Sequence, residues 1–306
     1  MNSYTPPYKI SSKILKLSTQ ISEELTKLQF TGTQKINPML RKKNRIKTLA
    51  GTLEIEGNFL GEEKITAILD GKRVLGTVKE LAEVQGAIKA YEKLDEFRYS
   101  ELDDLLLAHK ILMDEILTTA GSFRSVNVKV GEHIAPQPNM VNELMKDLFS
   151  WVKNSEGTIH PLIVSAVFHY EFVFIHPFAD GNGRMARLWH TVMLYRWRNV
   201  FEYIPLESQI ERFQAEYYDA IAKCHVNGNS DVFIEFMLSM IDQALDEVIL
   251  QVNKTNESMS EYVKRMLEVM EYDVPYTANA IMEALHLKSK ETLVVSVSPN
   301  EGRSVM

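Results

Sequence analysis

Apolar residues recur at helical spacing along most of the chain, and strand-like alternation is confined to one short stretch. Ile14, Leu17, Ile21, Leu25 and Leu28 stand three or four apart, which puts them on one face of a helix. The same spacing predicts helices over 79–95, 101–118, 141–153, 161–175, 184–197, 207–225 and 231–252. Start signals agree: Ser100 precedes a turn carrying Asp103 and Asp104, and Pro161 sits at a first helical position. Val126, Val128 and Val130 alternate ahead of Gly131, so 125–134 reads as a hairpin. The expected fold class is all-α, mainly helical, with one small β-hairpin.

Charge and composition narrow the function. With 34 Lys and Arg against 41 Asp and Glu the formal charge is −7, which argues against a broad basic face for duplex DNA. A single cysteine, Cys224, excludes an intrachain disulfide framework and fits a reducing compartment. Adjacent helix residues point about 100° apart, so Cys224 and His225 do not read as a thiol–imidazole pair. The opening residues lack the apolar core of a secretory signal. The most lipid-like stretch, 161–178, is interrupted by His169, Glu171 and His176. The expectation is a cytoplasmic protein that neither crosses nor anchors to a membrane.

The candidate chemistry lies in one segment, His176-Pro-Phe-Ala-Asp-Gly-Asn-Gly-Arg-Met-Ala-Arg187. Pro177 disfavours a helical conformation at His176, so the preceding helix should stop near Ile175. Gly181 and Gly183 let the backbone turn and approach a ligand, and a helix starting near Arg184 offers free N–H groups to an anion such as phosphate. Arg184 and Arg187 are three apart in the first turn, where a cation opposes the helix dipole unless a polyphosphate is bound. Asp180 can hold Mg²⁺ against phosphate oxygens, and His176 has the pKa range of a general base. Each piece alone has a plainer reading, a capping histidine or a solvated arginine pair. Gly181 to Ala186 also matches the dinucleotide pattern G-x-G-x-x-A. No strand feeds its first glycine, so a nicotinamide site is not expected.

As a whole the segment resembles the signature of the Fic family, H-P-F-x-[D/E]-G-N-G-R-x-x-R, at every fixed position. The resemblance runs from Tyr4-Thr-Pro-Pro7 to about residue 245. It implies a helical core and transfer of the AMP part of ATP to a hydroxyl of a target protein, or of the enzyme itself. Another nucleotide donor, or removal of AMP, stays open. The resemblance implies that His176 deprotonates the target hydroxyl and Asp180 binds Mg²⁺. Gly181, Asn182 and Gly183 would cradle the phosphates, with Arg184 binding them and Arg187 clamping the γ-phosphate. It divides the chain into an N-terminal helical region over 1–95, a catalytic core over 96–252 and a C-terminal segment over 253–306.

Three further stretches extend the resemblance. The 121–138 stretch resembles the family's flap, where Val126, Val128, Val130, His133 and Ile134 would position the target chain by strand addition. Tyr217 and Tyr218 resemble the segment lining the nucleoside, although an aromatic pair on a helix also suits a core. Thr52-Leu-Glu-Ile-Glu56-Gly57 fits the inhibitory pattern [S/T]-x-x-x-E-[G/N], N-terminal to the core in the same chain. Glu56 would then grip Arg187 bidentately and fill the γ-phosphate space; the plainer reading is a helix end ahead of a Gly57 stop. The basic run 41–47 reads as a solvated helix face, with target or nucleic-acid docking the alternative. Residues 276–293 resemble the start of a winged helix-turn-helix whose remainder is missing, which argues against DNA binding. The expected partners are ATP, a target protein and a second copy of the chain.

Overall fold

Helix α1 (Ser12–Phe30) shows how the pattern becomes packing: Ile14, Ile21, Leu25 and Leu28 are buried, and the helix packs on α11 (Asp231–Ser258), some two hundred residues further on. The computed structural model describes residues 4–30, 38–131, 133–258 and 283. The C-terminal resemblance at 276–293 lies outside these apart from Glu283. Between α1 and α11 come α2 (Pro38–Glu54), α3 (Gly61–Leu69), α4 (Val78–Tyr91), α5 (Leu102–Met113), α6 (Pro138–Ser155), α7 (Pro161–Ile175), α8 (Asn182–Trp197), α9 (Leu206–Arg212) and α10 (Gln214–Asn227). The fold is helical, and the strands among the described residues are one antiparallel pair, β1 (Lys129–Val130) and β2 (His133–Ile134).

Helix α7 is apolar on every side, the mark of a helix buried all round. It packs most extensively on α8 and also on α6 and α11. One continuous core runs from Ile14 to Val248 and includes the fully buried Trp189, whose ring meets Phe97 and Phe149. No helix among the described residues is long and apolar enough to cross a membrane.

Some elements depart from the periodicity reading. The helix expected over 101–118 ends at Met113, where Ile116 and Leu117 turn their N–H groups back to the Met113 carbonyl. The helix expected over 207–225 is split at Phe213 (φ −113°, ψ 37°), a break that lets Gln214 donate to the Ile55 carbonyl at 2.9 Å. Helices α2 and α3 escaped the pattern because charged residues interrupt their apolar stripes. Helix α2 nonetheless buries Leu40, Ile46, Leu49 and Leu53, and it packs closely on α9. Its basic run is tied into the fold: Arg41 is buried over the Tyr203 ring at 4.9 Å, Lys42 pairs with Asp70 and Arg45 with Glu92. The hairpin is shorter than expected, pairing Lys129 with Ile134 and Val130 with His133. Val126 and Val128 precede the strands, although Val128 still accepts from the Ala135 N–H.

Candidate functional site

Helix α7 stops where Pro177 requires, and His176 takes the left-handed conformation (φ 52°, ψ 62°). A non-glycine residue there is strained and must be held. Arg124 holds it: its guanidinium, buried behind the loop, donates to the carbonyls of His176 at 2.7 Å, Val126 at 2.9 Å, Pro136 at 2.6 Å and Ile175 at 3.3 Å. The Arg124 N–H also donates to the Pro177 carbonyl. One side chain therefore ties the flap to the turn that carries the histidine.

His109 supports the loop from α5. Its Nδ1 accepts from the Gly121 N–H at 2.9 Å, so Nε2 carries the proton and donates to the Asp180 carbonyl at 3.0 Å. Its ring stacks on Phe178 at 3.6 Å, and burial pushes its pKa down to about 4, leaving it neutral. Asn182 clasps Phe178, accepting from its N–H and donating to its carbonyl, both at 2.9 Å. The Asn182 side chain is thus committed to shaping the loop. Arg124 and His109 were not singled out from the sequence; the available signal was a polar residue beside apolar neighbours, which many core positions share.

Burial lowers the pKa of the His176 ring, and the Val173 carbonyl beside it opposes that shift. The ring lines a cleft of about 870 Å³ together with Glu56, His133, Ile134, Gly183, Arg187, Tyr217 and Tyr218, a size that admits a nucleotide. The two tyrosines differ: Tyr217 is 1% exposed with its hydroxyl on His169 Nε2 at 2.9 Å, whereas Tyr218 is 49% exposed. His133 of the flap stacks on His225 and hydrogen-bonds the Phe174 carbonyl at 2.8 Å. Cys224 is buried, its sulfur accepting the Phe233 N–H, which suits packing.

Arg187 is buried and already engaged. Its Nε donates to Thr52 Oγ1 at 3.1 Å, and one Nη donates to the Thr52 carbonyl at 3.1 Å and to Glu56 Oε1 at 2.7 Å. The expected bidentate grip is therefore a single short contact from Glu56, with Thr52 supplying the others. The guanidinium is shared because α2 ends beside it. Burial alone would raise the Glu56 pKa, but Arg187 outweighs it and the carboxyl is held below its ordinary range. Glu56 arrives there by a helix stop. Gly57 turns at φ 85° while Asn58 N–H reaches the Leu53 carbonyl and Gly57 N–H the Glu54 carbonyl, both at 3.0 Å, the Schellman arrangement. The helix stop and the contact with Arg187 are one geometry: the stop aims the carboxylate. Gly183 makes room for it, since a Cβ there would lie 2.5 Å from Glu56 Oε1.

Arg184 lies outside the cleft lining, 3% exposed, with Glu83 Oε1 at 3.2 Å and Asp180 Oδ1 at 3.6 Å. Asp180 is half-exposed, and its Oδ1 accepts from the Gly181 N–H at 2.6 Å. One accessible carboxylate fits Mg²⁺ delivered with a triphosphate, since that ion usually takes one or two carboxylates plus phosphate oxygens. Among the described residues no group of three or more His, Cys, Asp or Glu could hold a metal by itself.

The Fic/DOC family pattern matches residues 99–194. A Fic family protein from Desulfovibrio desulfuricans G20 is 37% identical and superposes with a TM-score of 0.78, over 95% of this chain and 89% of that one. A Fic-1 fragment from Caenorhabditis elegans, residues 134–508, superposes with a TM-score of 0.64 at 24% identity, over 79% of this chain and 73% of the fragment, a likeness of fold. Protein adenylyltransferase Fic from Aedes aegypti is 32% identical over 147 residues, which is 47% of this chain and 28% of that protein. Protein adenylyltransferase fic-1 from C. elegans is 30% identical over 162 residues, 52% of this chain and 30% of that one. The matched segment thus spans less than a third of either curated relative.

Proposed function

The chain belongs to the Fic family, and from that premise we propose that it is a protein adenylyltransferase restrained by its own N-terminal segment. It would transfer AMP from Mg-ATP to a Ser, Thr or Tyr hydroxyl of a target protein or of itself, releasing pyrophosphate. The observation that carries this reading is Arg187, a buried guanidinium on the cleft that His176 lines, held by Glu56 where a terminal phosphate would otherwise sit.

The residues divide the work. His176, kept neutral by burial, takes the proton of the target hydroxyl as the oxygen attacks the α-phosphorus and pyrophosphate leaves. Arg187 holds the γ-phosphate once Glu56 has moved, and the backbone at Gly181–Gly183 with Arg184 receives the other phosphates. Asp180 is the residue that would hold Mg²⁺, whose charge would offset that of the phosphate oxygens. Tyr218, the exposed member of its pair, is the ring available to a base. The flap edge at Lys129–Ile134 would align the target's main chain.

The experiment is incubation of the Glu56→Gly protein with α-labelled ATP, GTP, UTP and CTP, reading label on protein. ATP should label, and His176→Ala in that background should lower the rate about 10²–10⁴-fold while ATP still binds. Undiminished labelling by the His176→Ala protein would overturn the mechanism.

A further inference from the structure

Glu56 is not the only carboxylate that meets an arginine of this loop. Glu83 of α4 is 7% exposed, and its Oε1 accepts from Arg184 Nη1 at 3.2 Å. Its other oxygen, Oε2, accepts from Asn58 Nδ2 at 2.9 Å. Lys79 approaches Glu83 Oε1 only at 3.9 Å, from solvent. A buried carboxylate needs donors on both oxygens, and here Arg184 supplies one and Asn58 the other.

Asn58 is itself 3% exposed and uses its whole side chain. Besides Glu83, its Nδ2 donates to the Glu80 carbonyl at 3.1 Å, and its Oδ1 accepts from the Leu60 N–H at 3.3 Å. It stands two residues after Glu56, in the same turn. The backbone bonds of that turn run back to Leu53 and Glu54, so they shape the turn without fixing it against the core. Fixing falls to side chains: Gln214 on the Ile55 carbonyl from one side, Asn58 on α4 from the other.

We infer that Asn58 is a second part of the brake, a positioning residue that ties the Glu56 turn to the Glu83–Arg184 pair and so keeps Glu56 on Arg187. This rests on the reading of Glu56 as an inhibitory residue. Losing the Asn58 amide strands Glu83 Oε2 and frees the turn, and a freed turn presents Glu56 to Arg187 for less of the time. Arg184 and Arg187 are thereby held by one connected set of contacts that runs through this turn.

The test compares self-labelling with α-labelled ATP in the wild type, Glu56→Gly, Asn58→Leu, Asn58→Ser and the Glu56→Gly/Asn58→Leu double variant. Hydrogen exchange at the amides of 55–60 is followed in each. Both Asn58 variants should label roughly tenfold faster than wild type, the factor expected for losing a buried hydrogen bond to a carboxylate, and exchange faster at 55–60. In the Glu56→Gly background the Asn58 change should add nothing, because the carboxylate it positions is gone. A merely structural role would lower labelling in both backgrounds. If Glu56→Gly labels faster than wild type and the Asn58 variants do not, or exchange at 55–60 is unmoved, the inference is wrong and the brake stands. If Glu56→Gly itself labels no faster, the brake reading falls and this inference with it. Should the leucine variant fail to fold, the smaller serine change carries the comparison.

Discussion

Glu56 and His176 act on each other's protonation. Burial lowers the His176 pKa, and the Glu56 carboxylate is among the charges that push it back up. The net shift is downward, so the ring is neutral and able to accept a proton near pH 7. The acid limb of AMP transfer should therefore lie below the ordinary histidine value of about 6.5. Glu56→Gly removes a charge that favours the imidazolium, so the limb should move further down, and rates should survive to lower pH than in the parent. The same substitution frees Arg187, and labelling should rise about tenfold to a hundredfold, the worth of a hydrogen bond between charged groups. Adding Arg187→Ala should return it toward the parent. A pH–rate profile of the three proteins checks both effects, and an acid limb that moves up in Glu56→Gly would contradict the first.

The elements differ in what holds them. Helices α7 and α8 are locked by the core, but the flap has only two bridging residue pairs and depends on Arg124. Lysine keeps the charge without the planar fork that reaches several carbonyls at once. Arg124→Lys should therefore loosen the flap and the His176 turn together. Transfer to a protein target should fall at least tenfold while ATP affinity, read by calorimetry, changes little; equal loss of both would place Arg124 in nucleotide binding instead. Helix α2 shows a different dependence. It packs on α9 so closely that a Cβ at Gly51 would lie 2.5 Å from the Ser208 nitrogen. That approach brings its C-terminal turn, and Glu56 with it, to α8.

At the scale of the whole molecule, segments distant in sequence are tied together. Tyr4 donates to Glu171 Oε2 at 2.7 Å, pinning the start of the chain to α7, and the Ser230 N–H reaches the Pro7 carbonyl at 3.0 Å. Burial raises the Glu171 pKa even though Tyr4 opposes it. Tyr4→Phe would leave that buried carboxyl without its donor, at about 1–3 kcal/mol. The melting temperature should drop by about 2–5 °C, at roughly 1.5 °C per kcal/mol for a chain of this length. An unchanged midpoint in a thermal scan would show the N-terminal latch to be dispensable.

What the sequence determined by itself was local. The stop at Ile175, the loop with its two glycines, the helix that follows and the Gly57 turn were legible because proline, glycine and helical spacing constrain the backbone within a few residues. The apolar stripe of α1 was legible for the same reason. The split at Phe213 was not, because residues on both sides of it carry a helical pattern and the break serves a contact with Ile55. Nor were Arg124, His109, Glu83 and Asn58, whose partners lie between 12 and 101 residues away apart from a few near neighbours. A polar residue in an apolar setting signals only that it needs a partner. Which atoms satisfy it depends on how the helices pack: the motif resemblance implied that Glu56 meets Arg187, but only the tertiary structure decided that Thr52 shares that guanidinium and that Glu83 holds Arg184.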